Sequence, residues 1–216
     1  SLPGIEIEVK KIVSSTGALA LEKLPKKLVV IGAGYIGLEM GTVWSRLGTE
    51  VEVVEYLPRI LPGMDLEVAN KFKAMLTKQG LKFHLGTAVK SAKSSRSGVT
   101  LTVADAKTGE EQDINCDIAL VSVGRKTNTD NLGLEALGVE MTDKGQIAVD
   151  ADFETNIEGI FAVGDVIPGP MLAHKAEEDA VAAVEIMAGQ AGHVDYDLVP
   201  GIVYTAPEIA TLGATD

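Results

Sequence analysis

Gly32, Gly34 and Gly37 stand in the run Val30-Ile31-Gly32-Ala33-Gly34-Tyr35-Ile36-Gly37-Leu38-Glu39, and Glu55 follows 18 residues after the third glycine. A glycine triplet alone is weak evidence. Here an apolar strand precedes it, a helix follows, and a second strand ends in the acid, which is the context that fits a dinucleotide. Gly32 lets the chain turn tightly out of the strand, Gly34 lets backbone approach a diphosphate, and Gly37 lets the helix lie near the sheet. The helix's free N–H groups and its dipole favour the diphosphate's charge. Glu55, at a strand's carboxyl end, can accept hydrogen bonds from both adenosine ribose hydroxyls. A 2′-phosphate there would meet like charge, which favours NAD over NADP; Arg59 is the one nearby residue that works against this reading. The competing reading is an ordinary β-α-β unit with a glycine turn.

A second chemical signal lies in Gly159-Ile160-Phe161-Ala162-Val163-Gly164-Asp165. An aliphatic strand ending in Gly-Asp places a carboxylate where open α/β sheets bind ligands. Asp165 there can accept from a polyol such as a flavin ribityl chain, or can serve as a turn or helix-cap residue. The next helix begins near Met171-Leu172-Ala173-His174, and its N–H groups can meet a flavin ring edge or a phosphate. His174 by itself reads as structural.

These residues need elements to hold them. A strand is expected at Leu28–Ile31 and a helix from about Tyr35 to Leu47, with Ile36, Met40, Val43, Trp44 and Leu47 as its apolar face and Gly48 as its stop. Strand Val51–Glu55 leads to a helix at about Leu66–Gln79, with Asp65 as N-cap, Val68, Phe72, Met75 and Leu76 as its apolar face, and Gly80 beyond its end. A strand follows at Lys82–Leu85. Strands alternating with helices imply a parallel sheet with crossover helices, an α/β, Rossmann-like fold. Three short strands without helices, Val89–Lys93, Val99–Val103 and Gln112–Cys116, form a β-meander before the core strand Ile118–Val123. Beyond it, a short helical segment spans 131–139, strands are expected at Gly145–Val149 and Gly159–Val163, and a helix at about Leu172–Ala188 has Ala176, Ala180, Ala183, Val184 and Met187 on one face. The first 25 residues show little regular pattern.

The 216 residues are 46% hydrophobic, enough for a packed core, and carry a net charge of −12. That charge argues against nucleic acid, whose phosphates need a basic face. No apolar run is long enough to be a membrane helix, and the N-terminal residues show no signal-peptide or Arg-rich transit pattern. The single cysteine, Cys116, reads as structural and points to a reducing compartment. His84, His174 and His193 have no metal-ligand spacing, and no metal site is expected.

The chain resembles the dihydrolipoamide dehydrogenases, a family of pyridine nucleotide-disulfide oxidoreductases. The resemblance rests on Ile12–Leu19, Val30–Glu39, Val123-Gly124-Arg125, Ala162–Asp165, Gly169–Glu177 and Val203–Glu208, in the family's order. It implies NAD and FAD as cofactors. Gly32, Gly34, Tyr35, Ile36 and Gly37 would line the NAD diphosphate, Glu55 would hold the adenosine ribose, and Val89 would flank the adenine. Glu39 and Gly124 would lie toward the nicotinamide. Asp165 would bind the flavin's ribityl or diphosphate portion, and Met171, Leu172, Ala173 and His174 would run along the isoalloxazine. It further implies an NAD-binding domain over 1–127, a central, FAD-contacting segment over 128–197, and the start of an interface domain over 198–216.

The family's Cys-x4-Cys redox disulfide and its acid-base His-Glu pair have no counterpart here. The chain is therefore expected to be an interior segment, from Ser1 to Asp216, of a roughly twofold longer homodimeric enzyme. That enzyme would reoxidise dihydrolipoamide on a lipoyl carrier protein of a 2-oxoacid dehydrogenase or glycine cleavage complex, in a mitochondrial matrix or bacterial cytoplasm. The segment alone would bind NAD without turning over lipoamide. Two alternatives remain open: another FAD/NAD-dependent disulfide reductase or NADH oxidase, and a stand-alone dinucleotide-binding module without catalysis.

Overall fold

The computed structural model describes residues 3–8 and 10–214; Ser1 and Asp216, the ends of the expected segment, lie outside that range. The chain divides into two compact units at Arg125/Lys126 and Val199/Pro200, and the segment from Pro200 onward belongs to the unit that precedes Lys126.

In the first unit, β1 (Ile12–Val13), α1 (Ser15–Leu19), β2 (Lys27–Ile31), α2 (Tyr35–Arg46), β3 (Glu50–Glu55), α3 (Leu66–Lys78) and β4 (Lys82–Leu85) follow one another. An antiparallel meander comes next, β5 (Thr87–Ser94), β6 (Val99–Asp105) and β7 (Glu111–Cys116), and then β8 (Ile118–Val121). The main sheet has the order β1-β8-β2-β3-β4 and is parallel throughout. Parallel sheets are covered on both faces, which accounts for the near-continuous apolar runs in β2 and β8. Leu28, Val30, Val51, Val53 and Leu120 pack against α2 and α3 through residues such as Leu38, Trp44, Phe72 and Leu76. On the opposite face Val29, Ile31, Val54, Ala119 and Val121 pack against Val99, Leu101, Val103 and Ile114 of the meander. Asp65 caps α3 by accepting the Val68 N–H at 2.8 Å.

The buried helix faces differ from those expected. On α2, Val43 and Leu47 are exposed, and the face toward the sheet is formed by Gly37, Leu38, Met40, Gly41, Thr42 and Trp44. Gly37 and Gly41, one turn apart, set that face: a Cβ at Gly41 would sit 3.5 Å from both Val30 and Val51. On α3, Val68 and Met75 are exposed while Ala69, Phe72 and Leu76 are buried. Small residues thus mark the closest approach, which apolar periodicity alone does not weigh. The apparently patternless first 25 residues also contribute, since β1 forms the sheet edge beside β8. Two further short strands, β9 (Gly201–Val203) and β10 (Ile209–Thr211), pair antiparallel, and Val203 is buried in the helix-side core.

In the second unit, α4 (Leu134–Leu137) and α5 (Ala173–Met187) are the α-helices. Val139, Ile147, Phe153, Ala162, Ile167, Ala182 and Ala183 form its core. The strands expected at 145–149 and 159–163 are absent as strands. Each segment makes one isolated bridge, Met141 with Ile147 and Glu154 with Phe161. Positive φ at Gly145, Phe153 and Gly159 turns the chain before a ladder can extend. On α5 the face toward this core holds Lys175, Asp179, Ala182 and Ala183, whereas Val184 and Met187 are exposed.

One acid is buried in the parallel sheet. Glu52 of β3 meets Lys27 of β2 at 2.8 Å and His84 of β4 at 2.8 Å. Burial pushes its carboxyl upward, but Lys27 and His84 together outweigh burial and hold it below the usual glutamate range. A lowered folded-state value stabilises the fold above the unfolded-state value, and that contribution is lost as pH falls through the folded-state value. Glu52→Gln is therefore expected to lower stability at pH 7 by about 1–3 kcal/mol. In pH-dependent thermal melts the gap to the unsubstituted chain should narrow below about pH 4.3, the usual glutamate value.

Candidate dinucleotide site

The glycine turn joins β2 to α2 at the carboxyl end of the parallel sheet. Gly32 has φ +105°, and a Cβ on it would lie 2.6 Å from the Ser122 carbonyl oxygen. Its N–H donates to the Val54 carbonyl at 2.9 Å, which ties the turn to β3. A Cβ at Gly37 would lie 2.1 Å from the Gly32 carbonyl oxygen and 2.7 Å from Ser122 Oγ. Gly37 is therefore required by the packing of α2 on the turn itself. Gly34 differs from both: its φ is −80°, open to any residue, and a Cβ there would meet nothing within 4 Å. No conformational or internal packing demand calls for glycine at this position. The open face it leaves lies at the first turn of α2, where no side chain caps the helix. Backbone N–H groups of a first turn have no intrahelical acceptor and favour an anion. That open cradle fits a diphosphate.

Glu55 lies beside the turn. Its Oε2 accepts the Ala33 N–H at 2.7 Å and its Oε1 the Leu57 N–H at 2.8 Å. Both oxygens are thus oriented by backbone, and each keeps a lone pair for a hydroxyl donor. Arg59 does not oppose it: its guanidinium donates to the carbonyls of Leu61 at 3.3 Å and of Met64. Ser122, which the sequence did not single out, donates its hydroxyl to the carbonyls of Ile31 at 3.0 Å and Gly32 at 3.3 Å. It locks β8 to the turn. A lone serine after a strand carries no signal that could have revealed this.

The other expected residues of this unit fall as follows. Ile36 and Gly124 line one cavity of about 160 Å³, with Ser14, Ser15 and Ser122. Gly124 has φ +133°. Tyr35 is half-buried, burial raises its hydroxyl pKa, and that hydroxyl lies 2.9 Å from where a Cβ on Gly201 would stand. Glu39, one turn along α2, accepts the Tyr204 N–H at 2.8 Å. Val89 is half-buried in β5 beside a bulge that separates it from Ser91.

The second group of expected residues lies in the other unit. Asp165 sits in the 3₁₀ turn Gly164–Val166, Met171 and Leu172 lead into α5, and Ala173 and His174 begin that helix. Beneath the turn lies an ion pair missed in the sequence, Lys175 with Asp179, at 2.6 Å and with both side chains 0% exposed. Its i,i+4 spacing was visible, but such pairs ordinarily occupy a solvated face. Tyr196 donates its hydroxyl to Asp179 at 2.9 Å, and its pKa is pushed up to about 12 by burial and by Asp179. Among the described residues, no group of three or more His, Cys, Asp or Glu could hold a metal ion, and no helix is long and apolar enough to cross a membrane.

A parallel β-α-β sheet with a glycine turn, an acid at the end of the second strand and a β-meander on the far face defines a Rossmann-like, dinucleotide-binding class of fold. Residues 1–180 match the family model for pyridine nucleotide-disulphide oxidoreductases, and the chain belongs to that family. It is 58% identical over its whole length to the mitochondrial dihydrolipoyl dehydrogenase of Pisum sativum, covering 43% of that protein. It is 57% identical to leghemoglobin reductase of Glycine max, again over its whole length, and covers 41% of that protein. Across 99% of the chain it is 51% identical to the mitochondrial dihydrolipoyl dehydrogenase of Rattus norvegicus, covering 42% of it. Among solved structures, LpdA of Mycobacterium tuberculosis superposes with a TM-score of 0.90 at 27% identity, over 99% of this chain and 46% of that one. The flavoprotein disulfide reductase RclA of Escherichia coli does so with a TM-score of 0.88 at 26% identity, over 100% of this chain and 49% of that one. The chain thus spans less than half the length of the curated relatives it matches.

The two glycines of the turn should separate in experiment. Gly37→Ala is expected to destabilise the fold by about 1–3 kcal/mol, because the added methyl meets backbone. Gly34→Ala should cost about 1 kcal/mol or less and yet weaken NAD binding by roughly tenfold or more, the equivalent of one lost interaction. Thermal melts and NAD titrations of the two variants check this.

Proposed function

We propose that this chain is the NAD-binding and central portion of a dihydrolipoyl dehydrogenase, an enzyme that reoxidises dihydrolipoamide with NAD. The observation that carries the proposal is the open face at Gly34, set beside a Glu55 carboxylate already oriented by backbone. In this reading the first turn of α2, with Gly32, Gly34, Tyr35, Ile36 and Gly37, holds the NAD diphosphate. Glu55 accepts from the adenosine ribose and repels a 2′-phosphate. Val89 flanks the adenine, and Glu39 and Gly124 lie on the nicotinamide side. Asp165 accepts from the flavin's ribityl or diphosphate portion, and Met171–His174 border its ring. FAD, together with a redox disulfide, supplies the two-electron relay between a dithiol and NAD when bound.

This chain's cysteine is unsuited to that relay. Cys116 is buried, and burial pushes its thiol up to about 11, away from the thiolate that disulfide exchange requires. The protein's share of the chemistry assigned to these residues is therefore orientation and electrostatics. Identities of 50–59% to dihydrolipoyl dehydrogenases from plants and animals support this reading, alongside 57–58% to leghemoglobin reductases of two legumes. A lipoyl carrier as substrate donor, a homodimer and a mitochondrial matrix location belong to the same proposal; several of the relatives are named as mitochondrial.

Glu55→Arg is expected to lose about 1–3 kcal/mol of NAD affinity, the worth of a charge-assisted pair. Calorimetric titration with NAD and NADP checks it. Unchanged NAD binding would remove Glu55 as the ribose ligand, and tighter NADP than NAD binding by the unsubstituted chain would overturn the coenzyme assignment.

A further inference from the structure

We propose that Lys175 and Asp179 are positioning residues for the flavin site, holding the turn that carries Asp165 from beneath. The inference rests on the reading of that turn as a flavin-binding element. The two side chains are fully buried, and both backbone polar groups of Gly164 are bonded to them. Asp179 Oδ2 accepts the Gly164 N–H at 3.0 Å, and Lys175 Nζ donates to the Gly164 carbonyl at 3.1 Å while meeting Asp179 Oδ2 at 2.6 Å. Tyr196 completes the clamp: its hydroxyl holds Asp179 Oδ1 at 2.9 Å, and its ring lies 5.4 Å from the ammonium.

Glycine reaches positive and negative φ about equally, so local preference alone does not select the conformation of Gly164. Its φ is +75°, and a Cβ there would stand 3.1 Å from Ala176 Cβ, so the turn lies hard against α5. Apolar packing would stabilise such a helix at least as well as a buried ion pair, whose desolvation offsets much of its attraction. What an apolar pair cannot do is donate to one side of Gly164 and accept from the other. The ion pair therefore fixes direction in the turn, and with it the placement of the Asp165 carboxylate.

The test uses the protein purified at its native length, stripped of flavin and titrated with FAD by fluorescence, beside amide hydrogen exchange and thermal melts. The K175M/D179L double variant replaces the pair with apolar side chains of similar size. It is expected to stay folded with a lowered melting temperature, because the Gly164 N–H and the Tyr196 hydroxyl lose their acceptor, to keep its NAD affinity, to bind FAD about tenfold more weakly, and to exchange the Gly164 and Asp165 amides faster while the centre of α5 stays protected. K175M/D179N, which keeps an acceptor for the Gly164 N–H, should recover part of the FAD affinity whether or not the first variant folds. FAD affinity that is unchanged in both variants, or that simply follows melting temperature, overturns the positioning role. Unsubstituted protein that takes up no FAD overturns the flavin reading itself, and this inference with it.

Discussion

The closeness of α2 to the end of β2 is the constraint on which the first site depends. With the Gly32 carbonyl oxygen 2.1 Å from where a Cβ on Gly37 would stand, any side chain at Gly37 would push the helix off the turn. Because the helix stays down, its first-turn N–H groups sit at the end of the strand, where their partial charge is useful to an anion. The same closeness lets one hydroxyl, that of Ser122, reach both the Ile31 and Gly32 carbonyls. It also brings the Ala33 N–H within 2.7 Å of the Glu55 carboxylate. The proposed diphosphate cradle and ribose acceptor are thus one hydrogen-bonded assembly, and orientation of that kind in advance of a ligand reduces the cost of ordering on binding.

The two units fix the turns proposed to bind ligand in different ways. In the first, the turn is held by backbone and by the absence of side chains, and the sheet beneath it is buried on both faces. In the second, the core is small, regular strands are missing, and a buried ion pair takes their place beneath the turn that carries Asp165. Without a ladder to orient Gly164, its N–H is taken by a side chain, and its carbonyl accepts a side-chain donor besides the Ile167 N–H that closes the 3₁₀ turn. Lys175 and Asp179 do so from a single helix, one turn apart.

How much of this was legible in the sequence follows from the same physics. The β-α-β order, the meander and the helix limits were legible, because alternation, 3.6-residue periodicity and glycine stops are local signals; α3 ended within one residue of its expected limit. The roles of Gly32 and Gly37 were legible because glycine has few other uses at those places. The buried faces of α2 and α5 were not. On α2 the sheet selects small residues, Gly37 and Gly41, over Val43 and Leu47. On α5 two charged residues lie inside, against every compositional expectation. The segments 145–149 and 159–163 carry strand-forming residues but each makes one isolated bridge rather than a ladder, and β propensity depends on such cross-strand packing. β1 was missed for the converse reason: two residues suffice when β8 is already in place.

In the proposed site, the open face at Gly34 and the carboxylate of Glu55 together hold NAD. Mapping backbone amide shifts by NMR during an NAD titration tests it most directly. The account predicts saturable shifts concentrated at Gly34, Tyr35, Ile36 and Gly37, at Ala33 and Leu57 whose N–H groups hold Glu55, and little change along α3. Saturable binding that leaves the 33–37 amides unmoved would contradict it.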